Sequence, residues 1–256
     1  MQAKFAYIDK LPQKQNAAAT FGTCLHEALE LFNRGAPMDE CVERFKETWT
    51  NPELLDAVPD VWPKRMTFGG LRETGVQILR DYDSSLQWHS REVIAAEHKF
   101  KVHFGRHELS GVVDLLEATR GDSKLKVVDY KGSSYTPTVD SLYLDIQLTI
   151  YWWASQQPEF WLGFEDDPKY PPMPNGDVLY ERFRGTQREV VWYALRKNRE
   201  LFAGPRTEKD MRRLYLCLEA VEAAITHNVF VPSISGQTCT LCSYTDVCEA
   251  YYEAHP

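Results

Sequence analysis

"GVVDLLEATRGDSKLKVVDYKG", Gly111 to Gly132, decides the fold. Two apolar runs flank a turn-forming stretch, Arg120-Gly121-Asp122-Ser123, so the segment predicts two antiparallel strands. Each strand carries an aspartate where a core residue is expected. Alternate side chains of a strand share a face, which puts Leu125, Val127, Asp129 and Lys131 on one side and Val128 and Tyr130 on the other. With that turn, Thr119 pairs with Lys124, and counting back along both strands sets Asp114 opposite Asp129. Like charges directly opposite each other destabilise a sheet. A cation bridging them removes the repulsion, and oxygen ligands at short range suit Mg²⁺ or Mn²⁺. Lys131, one pleat from Asp129, could orient or deprotonate an attacking water, or offset phosphate charge. This is chemistry for hydrolysing a phosphodiester. A polar sheet edge with two solvated aspartates would show the same short pattern, so the evidence has to come from the rest of the chain.

Working outward, "TFGTCLHEALELFNRGAP" predicts a helix capped at Thr20 or Thr23 and stopped by Gly35 and Pro37, with Leu25, Leu29 and Phe32 as its apolar stripe. His26 lies off that stripe and shares a polar strip with Glu30, one turn on. "MDECVERFKETW" and residues 66–86 predict two more helices, and "EVIAAEHKFKVHF" a strand ending at a turn at Gly105. "SLYLDIQLTIYWWASQQ" predicts one aromatic-rich helix with Gln147 and Tyr151 on one face. A Pro-rich loop over 164–176 follows, then "DVLYERFRGTQREVVWY", which alternates around Gly185-Thr186 and reads as a second hairpin. A long helix over 206–228 leads into a turn-rich tail with three cysteines. The order suits a mixed α/β core: a helical part over 1–90, a core sheet with its helix over 91–205, and a helix and tail over 206–256, in one compact unit.

The 256 residues suffice for a sizeable core, and 43% hydrophobic with 26% charged residues is ordinary for a globular protein. The net charge of -8 argues against a generic nucleic-acid coat but not against an enzyme holding a cation at an acidic site. No stretch approaches the ~20 apolar residues of a membrane helix, and the first residues have no apolar leader region. The expectation is a cytoplasmic protein whose six cysteines are thiols or metal ligands rather than disulfides.

Taken in order, Gly22-x-x-x-His26, Gly111-x-x-Asp114, Asp129-Tyr130-Lys131 and Gln147-x-x-x-Tyr151 resemble the RecB-type nucleases of the PD-(D/E)XK superfamily. Cys239-x2-Cys242-x5-Cys248 resembles the cysteine cluster of that group's iron–sulfur members: CRISPR-associated exonucleases, AddB-type helicase-nuclease subunits and phage exonucleases. The likeness runs from about residue 4 to residue 250. It implies a restriction-endonuclease-like core with a mixed central sheet flanked by helices. It implies that His26, Asp114 and Asp129 bind a divalent metal with help from the Tyr130 backbone carbonyl. Lys131 would be the catalytic lysine, and Gln147 and Tyr151 would position DNA. Glu97, on the strand before the hairpin, is a weaker candidate and is not expected as a ligand.

The same likeness implies a four-iron four-sulfur cluster on Cys239, Cys242 and Cys248, with a fourth cysteine at about Met1, where this chain has none. A lost N-terminal cysteine, substitution by Cys24, Cys41, Cys217 or His255, or a three-cysteine or zinc site stay open. The second hairpin interleaves Tyr180, Arg182, Phe183, Arg184 and Arg188, which would suit a single strand of DNA, although an ordinary exposed hairpin is the preferred reading. The expected function is a Mg²⁺- or Mn²⁺-dependent DNA exonuclease of recombination, repair or phage DNA metabolism, with a helicase or recombination partner. The alternative is a catalytically silent DNA-binding module.

Overall fold

The computed structural model describes residues 2–12, 17–50, 67–85, 90–121, 124–133, 135–163, 172–231, 239, 242 and 244–254. Three helices come first: α1 (Ala17–Asn33), α2 (Met38–Trp49) and α3 (Phe68–Ser85). α1 begins before either threonine named as its cap; Thr20 is buried, and Thr23 Oγ1 donates back to the Ala19 carbonyl. Its end is as expected, with Gly35 at φ +102°, a conformation that favours glycine. Leu25, Leu29 and Phe32 are all buried, at the i, i+4, i+7 spacing of one helix face. α3 crosses α2 closely at Gly75, where any side chain would run into the Phe45 ring.

A five-stranded sheet follows in the order β1 (Arg91–Phe104), β2 (His107–Thr119), β3 (Leu125–Lys131), β4 (Arg188–Ala194), β5 (Arg199–Phe202). β3 and β4 are parallel and the other neighbours antiparallel, so the sheet is mixed. The β2–β3 ladder runs from Ala118–Leu125 to Leu115–Val128. One step further in the same register is Asp114–Asp129, the pairing predicted from the turn. The ladder stops just short of it, while β1 and β2 stay paired out to Phe104–His107. The two aspartates therefore sit where β3 leaves β2.

Parallel strands cannot be joined by a tight turn; they need a crossover that leaves the sheet. That crossover carries α4 (Val139–Leu144), α5 (Ile146–Ala154), α6 (Pro158–Leu162) and α7 (Gly176–Phe183). Two expectations are corrected here. The second hairpin does not form: Gly176–Phe183 is helical, and only Arg188–Ala194 is a strand. Its alternation was too short to outweigh a fully buried Phe183 and a Gly176 pressed against the Trp161 carbonyl. The predicted single helix over 141–157 is broken at Asp145, whose extended backbone ends α4 and whose carboxylate caps α5 by accepting from the Leu148 N–H (3.0 Å). Most of the predicted Pro-rich loop lies outside the described residues. α8 (Glu208–Thr226) matches the predicted long helix, and α9 (Thr245–Ala254) closes the chain.

Two cores cover the two faces of the sheet. α1, α2 and α3 bury Leu115, Val128, Tyr130, Val191 and Tyr193 on one face. α5, α6 and α7 bury Leu116, Leu125, Val127, Val190 and Trp192 on the other. Each large apolar side chain buried this way contributes about 1.5–3 kcal/mol. Such packing fixes α1 and α5, and with them the polar residues they carry to the sheet's open end. No helix of the described residues is long and apolar enough to cross a membrane.

Candidate active site

A strand residue points its N–H and C=O toward the same neighbour. Past Val128 that neighbour has gone, and side chains take its place. The Tyr130 N–H donates to Asp114 Oδ2 (2.5 Å). The Tyr130 carbonyl accepts from His26 Nε2 on α1 (3.2 Å). His26 Nδ1 in turn lies 3.3 Å from Asp114 Oδ1 and 3.8 Å from Glu97 Oε1. Asp114 is 8% exposed and Asp129 2%.

Glu97 enters through the backbone. Its neighbours pair in register, Ala96 with Leu115 and His98 with Val113, but Glu97 itself has φ +50°. A left-handed conformation at a non-glycine residue inside a strand is strained by about 1–3 kcal/mol and is characteristic of functional sites. It delivers a carboxylate to Asp114 and His26. The ligand atoms of His26, Glu97 and Asp114 all lie within 4.8 Å of one another. Sequence reading ranked Glu97 low, yet the signal was present. Counting back from the Gly105-Arg106 turn pairs Glu97 with Asp114, the same arithmetic that pairs Asp114 with Asp129.

Asp129 stands beside this trio and turns to Lys131, whose Nζ lies 2.7 Å from Asp129 Oδ2. That oxygen is buried and accepts no aligned hydrogen bond among the described residues. Burial raises the Asp129 pKa from 3.8 to about 6; the nearby Lys131 charge lowers it and the Asp114 charge raises it. Burial works against the charged form of His26, but the hydrogen bond and charge of Asp114, with Glu97 and Asp129 behind it, outweigh burial and raise its pKa. A cluster of three carboxylates, an imidazole and the Tyr130 carbonyl is chemically matched to a divalent cation with mixed N/O ligands.

Lys131 Nζ donates to Gln147 Oε1 (3.1 Å), Gln147 Nε2 donates to the Tyr151 hydroxyl (2.8 Å), and Tyr151 donates to the Val112 carbonyl (2.6 Å). Gln147 is exposed and Tyr151 buried. The i, i+4 pair predicted on α5 thus forms a relay from the β2 backbone to the lysine.

The other predicted contacts are not part of this arrangement. Arg182 holds Glu92 with two bonds (2.6 and 2.7 Å), and Phe183 is in the core. Arg188 is buried, donating to the Phe183, Thr186 and Ser155 carbonyls. These side chains hold the fold together instead of forming a basic surface. In the tail, Tyr244 is buried, packs its ring at a tilt against Phe5 (centroids 5.7 Å) and donates to the Leu11 carbonyl (3.1 Å), which brings the tail against the first residues. Among the described residues, Cys239, Cys242 and Cys248 are not drawn into a group spaced to hold a metal. Cys24 and Cys41 are core thiols, pushed up by burial to about 12 and about 11, and are no substitute for the missing fourth cysteine.

Comparison with known families agrees with this geometry: the model for the PD-(D/E)XK nuclease superfamily matches residues 1–249. The chain belongs to that superfamily. No curated protein matches the sequence.

Proposed function

We propose that this protein is a Mg²⁺- or Mn²⁺-dependent deoxyribonuclease, an exonuclease acting on DNA ends or single strands in recombination, repair or phage DNA metabolism. The observation that carries the reading is the convergence of His26, Glu97 and Asp114 beside the Asp129–Lys131 pair. His26, Glu97, Asp114, Asp129 and the Tyr130 carbonyl would hold the ion. When bound, it polarises the scissile phosphate and makes a bound water more acidic.

The protein's own residues supply the rest. Lys131, held by Gln147, presents its ammonium at the carboxylates, where it orients the attacking water and offsets phosphate charge. Tyr151 fixes Gln147 from below, and exposed Gln147 meets the substrate. The strain at Glu97 is held in place by the long β1–β2 ladder on both sides of it. The resemblance to helicase-associated members supports a helicase or recombination partner. Among the described residues the cysteines do not converge as a ligand set, and none of the roles above draws on them.

The test is incubation of end-labelled linear and closed circular single-stranded DNA with Mn²⁺, alongside Asp114→Ala and Lys131→Ala. Linear DNA should shorten from its ends while circles persist, and both variants should lose about 10³-fold or more in rate. Equal cleavage of circles removes the exonuclease assignment, and undiminished variants remove the site.

A further inference from the structure

The Tyr130 carbonyl, proposed above as a metal ligand, belongs to a residue whose side chain lies in the core under α1, α2 and α3. There the Tyr130 hydroxyl meets the Tyr82 hydroxyl on α3 (2.6 Å) and accepts from Asn33 Nδ2 on α1 (3.1 Å). The Arg91 guanidinium on β1 donates to Asn33 Oδ1 (2.6 Å) and to the Tyr82 hydroxyl (3.1 Å), and its Nε donates to Glu117 (2.7 Å) on β2. All three ring or amide groups are buried: Tyr130, Tyr82 and Asn33. Buried polar networks are expensive unless satisfied, and this one is closed by residues from five elements at once.

Its geometry bears on the site through α1. Asn33 follows His26 by seven residues, two helical turns, so the two side chains leave the same face of α1. His26 holds the Tyr130 carbonyl and Asn33 holds the Tyr130 hydroxyl. One helix therefore grips one residue at both ends, and Asp114 holds its N–H. Every polar group of Tyr130 is fixed.

We propose that Asn33 and Tyr82 are positioning residues for the metal site, gripping the Tyr130 hydroxyl so that its carbonyl stays aimed at the ion. This rests on the nuclease reading above, which takes that carbonyl as a ligand. The peptide lies just where the β2–β3 ladder has ended, so no backbone partner on β2 holds it there. The tyrosine network replaces the lost strand.

The test reads Mn²⁺ binding from the EPR signal of the free ion, with DNA hydrolysis followed across a Mn²⁺ titration. Tyr130→Phe keeps the ring and the carbonyl. It should weaken Mn²⁺ binding about tenfold, the lower end of losses when groups orienting a ligand are removed. In Tyr82→Phe, which leaves every proposed ligand in place, the rate at saturating Mn²⁺ should change by less than about twofold, because the lost interaction acts on the ion and not on the transition state. Tyr82→Phe and Asn33→Ala should weaken binding in the same sense. Combining Tyr82→Phe with Tyr130→Phe should add little, since both break one contact. Phe45→Leu, in the same core but outside the network, should lower Tm with Mn²⁺ affinity unchanged. A Tyr130→Phe protein that melts earlier but binds Mn²⁺ like the wild type overturns the inference, as does an equal loss in Phe45→Leu. A wild type that binds Mn²⁺ but cleaves no DNA counts against the nuclease reading alone; the tenfold loss in Tyr130→Phe still supports the positioning role.

Discussion

Replacing Asp129 by asparagine should make the metal-free protein more stable while abolishing its activity. The carboxylate is 2% exposed, and burial raises its pKa from 3.8 to about 6. A carboxylate whose folded pKa lies above its unfolded value binds more protons when folded, so stability falls as pH rises through that window. The shift of about two units corresponds to a penalty of about 3 kcal/mol above pH 6, and about 1 kcal/mol near pH 4.5. His26 acts in the same direction. Its raised pKa gives stability present below about 6.5 that is lost as pH climbs through the folded value. Asparagine keeps the shape, removes the charge and leaves Lys131, which is partly solvated, without its carboxylate. Urea denaturation in EDTA should therefore show Asp129→Asn more stable than wild type by about 2–3 kcal/mol near pH 7.5, and by about 1 kcal/mol or less near pH 4.5. Saturating Mn²⁺ should narrow the gap at neutral pH, because it binds the wild type better. A variant less stable than wild type at neutral pH, or a gain that is the same at both pH values, would refute the reasoning.

Glu97→Gly should relieve the left-handed strain and stabilise the metal-free chain by about 1 kcal/mol, yet weaken Mn²⁺ binding by tenfold or more, about the loss expected on removing a ligand; calorimetric titration and melting curves check the two halves separately. Tyr151→Phe removes the support under Gln147. Its rate at saturating Mn²⁺ should fall about tenfold with Mn²⁺ affinity unchanged, and Gln147→Ala should behave alike in the same kinetic assay. Arg182→Ala breaks an exposed ion pair with Glu92; stability should drop by less than about 1 kcal/mol and DNA affinity, measured by fluorescence anisotropy, should not move.

The hairpin was legible because strand arithmetic is rigid: one turn fixed the register, and the register carried Asp114 to the foot of Asp129. The same arithmetic from Gly105 reaches Glu97, but a strand pattern does not announce a residue with positive φ, and Glu97 was ranked low. Helix ends were harder. Nothing in periodicity distinguishes an Asp145 that continues a helix from one that ends it and caps the next. The second hairpin failed for a non-local reason. Its stretch lies on the path between two parallel strands, and the pairing of β3 with β4 joins residues that no local pattern connects. The basic residues there left a DNA surface open beside the preferred reading of an ordinary exposed hairpin, because sequence does not reveal that Glu92 or the Ser155 carbonyl is their partner. His26 could be placed on a polar strip of its helix, but its distance to Tyr130 depends on how α1 packs across the sheet.

The contact between His26 and Tyr130 spans 104 positions of chain. Contacts that distant close late, because the intervening chain must first be ordered. During synthesis α1 emerges early, whereas Lys131 and the α5 relay that holds it come more than a hundred residues afterwards. The carboxylates meet their histidine only when the sheet is assembled, so the capacity to cut arrives with the folded protein and is absent from the growing chain.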